Sequence, residues 1–363
     1  SNIKGQRLYL VRINPSQATK IKVYPTSLGT GDSASNKLFN NGLSRGIILD
    51  GDAVIVTGQI GSGVANNQAL IARFKISQAP SDPSQAAWAP ESIKLFGDLG
   101  GSFKGNAVAK GRIGEEDFYF CLHSKGAGTT ASPRVLRIAK FRASDLSEVR
   151  EGNSFFQNLA VSGSFNPSSV LVSGQSVYVV GSADSKAVVV AVNGDSGSLS
   201  TNFSGTGIAS FVPDSIFVSV NGSRQQITFV SSGGAGMKVN STGELGLLGN
   251  AGYNTTTLIS AGLVAHLDAS TGAIKEYSVH VGDGFENDGT CYKDGQITSD
   301  NKLVLVGTKT VNVNSVFKDA QYFRSFDISD SSGQERYTPR PTVDRKSTRL
   351  NSSHTDISRM PSS

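Results

Sequence analysis

One block of this sequence comes round again, and that recurrence constrains the fold more than any other feature. "RGIILDGDAVIVTGQIGSGVANNQALIARFKIS" (Arg45 to Ser77) aligns with "SSVLVSGQSVYVVGSADSKAVVVAVNGDSGSLS" (Ser168 to Ser200). Each has a short apolar strand, a turn with Gly after Asp or Ser, a second strand ending near Gly, a polar loop and a third strand. "GRIGEEDFYFCLHSKGAGTTASPRVLRIAKFRASD" fits the pattern from Gly111, and "DSIFVSVNGSRQQITFVSSGG" opens a further copy at Asp214. In that copy the third strand is expected only at "GLVAHLDA", behind an insertion over residues 236–260. A last copy starts near "CYKDGQITSDNKLVLVGT" and runs to "QYFRSFDIS". The second strands centre on Ile55, Tyr119, Tyr178, Thr228 and Val304, a ragged period of about 60 residues.

A fourth segment follows the third strand in "TKIKVY", "ESIKLFG" and "AIKEYSV". Four consecutive strands per unit predict an all-β chain of four-stranded antiparallel sheets in series, which is what β-propeller blades need. About six blades are expected, the first and last incomplete. A twisted sheet has two faces, and near-continuous apolar runs such as "AVVVAV" predict strands covered on both sides by neighbouring sheets. Stacked sandwiches or a solenoid are the competing all-β arrangements, and the lack of a regular short period argues against the solenoid.

Composition agrees: 41 glycines and only 17% charged residues describe short strands joined by turns. No apolar run reaches the length of a membrane-spanning helix. The last twenty residues, "DRKSTRLNSSHTDISRMPSS" (Asp344 to Ser363), lack apolar periodicity and resemble the translation of a common sequencing adapter. The propeller is therefore expected to occupy residues 1–343, as a fragment, with 344–363 an artefactual tail. Without that tail the net charge falls from +5 to +3, too little and too dispersed to predict a nucleic-acid partner. Cys121 and Cys291 are the only cysteines, which excludes a disulfide framework and a four-thiolate metal site. Both are expected to be buried free thiols, a single bridge being the alternative.

"GLVAHLDASTGAIKEYSVHVGDGFENDGTCYKDGQITSDNKLVLVGT" resembles the bacterial-type seven-bladed propeller repeat. "VVVAVNGDSGSLSTNFSGTG" is also similar to quinoprotein-type and related secreted propeller repeats. The resemblance implies a propeller and an extracellular or cell-surface location. Trp88 is followed by Ala89, unlike the Trp-Asp repeats, and the glycine pairs at Gly100 and Gly233 do not fit a kelch pattern. Tyr277 stands where quinoprotein repeats place a tryptophan, so no quinone cofactor is expected.

Catalytic signals are weak throughout. His123, His266 and His280 have no metal-ligand spacing. "GSGVA" and "SGSFN" lack the strand-turn-helix setting of a nucleophile elbow, and "SSGGAG" is not followed by a phosphate-binding helix. The acidic loop "GDGFENDGT" offers Asp283, Glu286, Asn287 and Asp288 as clustered oxygens; Asp283, Glu286 and Asp288 are the weak metal candidates, for calcium. Asp50 and Asp52 in "LDGDA" form a similar acidic pair. Sequons at Asn202, Asn221, Asn240 and Asn254 are no more than composition supplies. The expected function is a non-catalytic scaffold whose loops, among them "NSTGELGLLGNAGYNTTT", bind a protein or glycan. The alternative is a propeller enzyme (lyase, glycosidase or quinoprotein-type dehydrogenase) with its site at a central channel.

Overall fold

The structure is a computed structural model. It describes residues 9–14, 17–26, 38–39, 46–61, 67–82, 84, 86–101, 103–125, 135–149, 165–220, 223–239, 243–254, 258–280, 290–297, 302–313 and 316–327. The described residues are all-β apart from one turn of 3-10 helix at Ile76–Gln78, and every strand pair with a described register is antiparallel. Among the described residues no helix is long and apolar enough to cross a membrane. The chain divides into two compact units: residues 1–184 with 188–209, and residues 185–187 with 210–363.

In the first unit, β1 (Tyr9–Asn14) and β2 (Gln17–Pro25) form a two-stranded sheet. Next come β3 (Leu38–Phe39), β4 (Ile47–Asp50), β5 (Ala53–Gly61), β6 (Asn67–Lys75) and β7 (Ser92–Gly101), ordered β3-β5-β6-β7 with β4 also on β5. Then β8 (Phe103–Ile113), β9 (Glu116–Lys125) and β10 (Val135–Arg142) form a three-stranded sheet. The sheet after it runs in order β11 (Asn166–Ser173), β12 (Ser176–Ala183), β13 (Lys186–Asn193) and β14 (Ile208–Phe211).

These sheets pack face to face in chain order, and the two-residue alternation of a strand explains how. On β9, Phe118, Phe120 and Leu122 point one way, into a core shared with Val170, Val177, Val179, Val188 and Val190 of the sheet that follows. Tyr119 and Cys121 point the other way, into a core shared with Ile55, Ala69, Ile71 and Phe96 of the sheet before. On β5 and β6 the opposite residues, Val54, Val56, Leu70 and Phe74, meet Leu10 and Tyr24 of the first pair and Trp88. Each Val or Leu buried in this way contributes roughly 1.5–3 kcal/mol. Ile47 and Leu49 on β4 stay 51% and 74% exposed.

Two turns recur with the sheets. Gly51, Gly114 and Gly174 each sit first in a two-residue hairpin with φ of 57°, 61° and 55°, between the pairs Asp50 and Ala53, Ile113 and Glu116, and Ser173 and Ser176. A positive φ at that position is what glycine supplies in a hairpin whose twist matches the strands. The second turn follows the third strand. The amides of Arg142, Asn193 and Asp268 donate to the carbonyls of Ser147, Ser198 and Ala273; those of Leu146, Gly197 and Gly272 donate back to Arg142, Asn193 and Asp268. Leu146, Gly197 and Gly272 take φ of 58°, 72° and 69°.

In the second unit, β15 (Ile216–Val220) and β16 (Ser223–Ile227) form a hairpin. It is followed by a four-stranded sheet in chain order: β17 (Phe229–Val239), β18 (Leu245–Asn254), β19 (Leu258–Leu267) and β20 (Ile274–His280). A three-stranded sheet of β21 (Thr290–Ile297), β22 (Lys302–Val313) and β23 (Val316–Asp327) completes the described residues.

This corrects the expected copy at Asp214. The supposed insertion over 236–260 is no loop: it contains the end of β17, all of β18 and the start of β19. Thr228, expected at the centre of a second strand, falls between β16 and β17. Glycine hid the sheet. Gly234 pairs with Gly249, and a Cβ built on Gly249 would lie 1.9 Å from the Gly233 carbonyl oxygen, so two loop-like glycine clusters let adjacent strands approach closely. Leu245, Leu247 and Leu248 are fully buried beside them. The other expected centres, Ile55, Tyr119, Tyr178 and Val304, lie in β5, β9, β12 and β22.

Candidate functional site

One polar cluster among the described side chains joins two stacked sheets of the first unit. Asp50 ends β4, held there because the glycine turn begins at the next residue. Its Oδ1 accepts a 2.8 Å hydrogen bond from Lys110 Nζ on β8, and its Oδ2 accepts a 2.5 Å bond from the Tyr119 hydroxyl on β9. Lys110 Nζ also lies 2.9 Å from Asp117 Oδ2. Arg73 on β6 places its guanidinium carbon 5.9 Å from the centre of the Tyr119 ring. Its two terminal nitrogens donate to the carbonyls of Ala143 and Ser144, inside the recurrent turn of the next sheet.

Asp50, Lys110 and Tyr119 are each shifted further from the physiological pH range. Burial pushes the Asp50 carboxyl up, but hydrogen bonds from Lys110 and Tyr119 and the nearby positive charges outweigh it and hold it below its ordinary value. Lys110 is raised by its bonds to Asp50 and Asp117 against the opposing effect of burial. The Tyr119 phenol is pushed up to about 12, first by burial and then by the Asp50 carboxylate. Efficient acid or base catalysis favours a group that changes protonation near the working pH. Here the groups are locked as carboxylate, ammonium and neutral phenol, an arrangement suited to fastening one sheet to the next. A second fastener lies between the following pair of sheets: Lys140 Nζ sits 4.2 Å from the centre of the Phe118 ring and 3.8 Å from Asp195 Oδ1.

The other candidates are distributed singly. Asp52 accepts from the Ser77 amide at 3.0 Å and from the Ser77 hydroxyl, closing the 3-10 turn. His123 is fully buried with its ring edge-on to Phe96 at 5.0 Å. His266 lies opposite Glu276 across β19 and β20, its Nδ1 3.8 Å from the carboxylate. Tyr277 accepts the Asp214 amide hydrogen at 3.0 Å and packs on Phe211, a local structural use of the ring. Cys121 is a free thiol in the core, its pKa driven up by burial. Asp283, Glu286, Asn287 and Asp288 lie outside the described residues, as do the side chains of Cys291 and His280. Among the described residues no group of three or more His, Cys, Asp or Glu could hold a metal ion.

Of the cluster, sequence patterning singles out only Asp50, for its acidic neighbour Asp52. Lys110, Asp117 and Arg73 carry no motif. The cluster exists because residues 60 or more positions apart meet when the sheets stack.

No family model matches the chain, and no curated protein matches it. Similar solved structures include MPT-4, a mannose phosphorylase from Leishmania mexicana in complex with phosphate ion: 10% identity, TM-score 0.36, covering 72% of this chain and 77% of that one. MPT-1, a GDP-Man-dependent mannosyltransferase from Leishmania mexicana, is 10% identical with a TM-score of 0.35, over 77% and 82%. A hypothetical protein from Leishmania major is 10% identical with a TM-score of 0.36, over 78% and 84%. Scores at this level assign no activity to the chain.

Proposed function

We propose that the chain is a β-propeller scaffold, extracellular or on a cell surface, whose loops bind a protein or glycan ligand. The observation that carries this reading is the burial of both faces of the β8 to β10 sheet by the sheets before and after it. A sheet covered on both sides meets a ligand only through its edges and the loops at its ends. In a propeller these loops gather around an axis and form a broad surface. The recurrent turns support equivalence of the units, because the same pair of backbone hydrogen bonds closes three of them. The cluster at Asp50 supports a holding role, since Lys110 is ion-paired with Asp50 and Asp117 and the Tyr119 phenol is held neutral on the same carboxylate.

The test is to immobilise the intact chain and present it with a panel of defined glycans and secreted ectodomains. Saturable retention of a ligand that is recovered chemically unchanged is the expected result. Conversion of a saccharide or alcohol with no retained ligand would overturn the scaffold in favour of an enzyme. An experimental structure with the sheets in separate sandwiches would overturn the propeller.

A further inference from the structure

We propose that Asn202 is an acceptor for an N-linked glycan when the chain passes through the secretory pathway. It lies in the sequence Asn202-Phe203-Ser204, which meets the requirement for such modification at the level of residue type. Composition alone supplies such triplets, so the placement of this one decides the matter. The triplet occupies the turn between the recurrent six-residue turn ending β13 and the start of β14.

Phe203 is 1% exposed and packs against Tyr178 with ring centres 5.8 Å apart. Its amide donates to the Ser200 carbonyl at 2.9 Å, and its own carbonyl accepts from the Gly207 amide at 2.7 Å. The middle residue of the triplet is therefore an anchor, fixed by its ring and by both its backbone groups. Asn202 and Ser204, on either side of it, are exposed, as are Thr201, Gly205 and Thr206. A glycan on the Asn202 amide nitrogen would project from small polar neighbours into solvent and displace no packed side chain. Ser204 holds a φ of 55° and is followed by Gly205 at 71°, so the backbone turns sharply away just beyond the acceptor.

The assignment rests on the secreted reading for its biological occurrence, though not for its chemistry. The amide nitrogen of Asn202 would displace the lipid pyrophosphate from the anomeric carbon of a lipid-linked oligosaccharide, losing one proton as the carbon–nitrogen bond forms. The experiment is to express the full chain behind a cleavable secretory leader in cultured mammalian cells and map the secreted protein by mass spectrometry. Peptides spanning Asn202 are expected to carry glycan and to show Asp at position 202 after peptide N-glycosidase. Asn202→Gln and Ser204→Ala should each remove that site alone while leaving the far-ultraviolet circular dichroism unchanged. Folded, secreted protein with Asn202 unmodified would overturn the assignment. Locating the natural protein in the cytosol of its own cells would instead overturn the secreted reading, and the leader experiment keeps the two failures apart.

Discussion

Tyr119 on β9 donates its hydroxyl hydrogen to Asp50 on β4 across 2.5 Å, tying together two sheets that are separate in hydrogen bonding. Tyr119→Phe keeps the ring in its core and removes the hydroxyl that bonds Asp50 and meets the Arg73 side chain. The carboxylate retains Lys110, so a loss of about 1.5 kcal/mol in the stability of the first unit is expected, as for a hydrogen bond to a charged group. Trp88 is the only tryptophan and is buried between Tyr24 and Phe74. Its fluorescence during urea unfolding therefore reports on this unit.

The same phenol sets an alkaline limit. Its pKa rises from 10.0 to about 12 on folding, so its contribution is fully present below pH 10 and is lost as pH climbs towards about 12. Wild-type stability should fall through that window more steeply than Tyr119→Phe stability. Urea midpoints followed by Trp88 emission, together with tyrosinate absorbance, check this. Parallel slopes for the two proteins would sink the explanation.

At the acid end the recurrent turn provides a control within the molecule. Asp268 Oδ1 accepts the amides of Ser270 and Thr271 at 2.9 and 3.0 Å; Asn193 Oδ1 accepts those of Asp195 and Ser196 at 2.9 and 2.8 Å. Hydrogen bonds from the Ser270 side chain and from the Thr271 and Ser270 amides hold the Asp268 pKa well below its usual range. A depressed carboxylate stabilises the fold above its ordinary pKa of 3.8, and that contribution is lost as pH falls below it. Asp268→Asn should preserve the turn near neutrality, as Asn193 does in its own copy, and flatten the acid decline of the second unit. Hydrogen exchange of the β19 and β20 amides against pH is the measurement.

Leu146 and Gly272 occupy equivalent positions in that turn for opposite reasons. Leu146 holds φ 58° while fully buried among Ile55, Phe96 and Phe141, so packing compensates backbone strain. Leu146→Ala should lower stability by about 2–4 kcal/mol through the cavity it leaves. Gly272→Ala adds a Cβ at φ 69°, in the left-handed region, and a loss of about 1–2 kcal/mol is expected from the backbone. Chemical denaturation of the two variants should rank them in that order.

Gly249→Ala tests the close approach of β17 and β18. The new methyl would meet the Gly233 carbonyl oxygen, a backbone atom that cannot swing aside, and overpacking of this kind costs about 1–3 kcal/mol. Faster amide exchange confined to these two strands is expected.

How much was legible varied with the type of side chain that marked each strand. Runs such as "DFYFC" and "KAVVVAV" announced β9 and β13, because alternating or continuous apolar residues have few other uses in a chain this rich in glycine. β18 carries no strand signal in sequence because half of "LGLLGNAGYN" is glycine or asparagine, the usual marks of a loop. The turn at 142–147 has no mark in sequence, since Leu146 takes the left-handed backbone that glycine advertises at the same position in the other two copies.

By itself, then, the sequence determined the all-β class and those strands and hairpins marked by apolar runs or glycine, because period-two burial and glycine turns are local properties of consecutive residues. Only the tertiary structure decided which sheet faces which, that Asp50, Lys110, Tyr119 and Arg73 meet, and that Asn202 stands exposed beside a buried Phe203. Those outcomes depend on stacking between segments far apart in the chain, where side-chain volume and the apolar area removed from water select the partner, and no spacing along one strand records that choice.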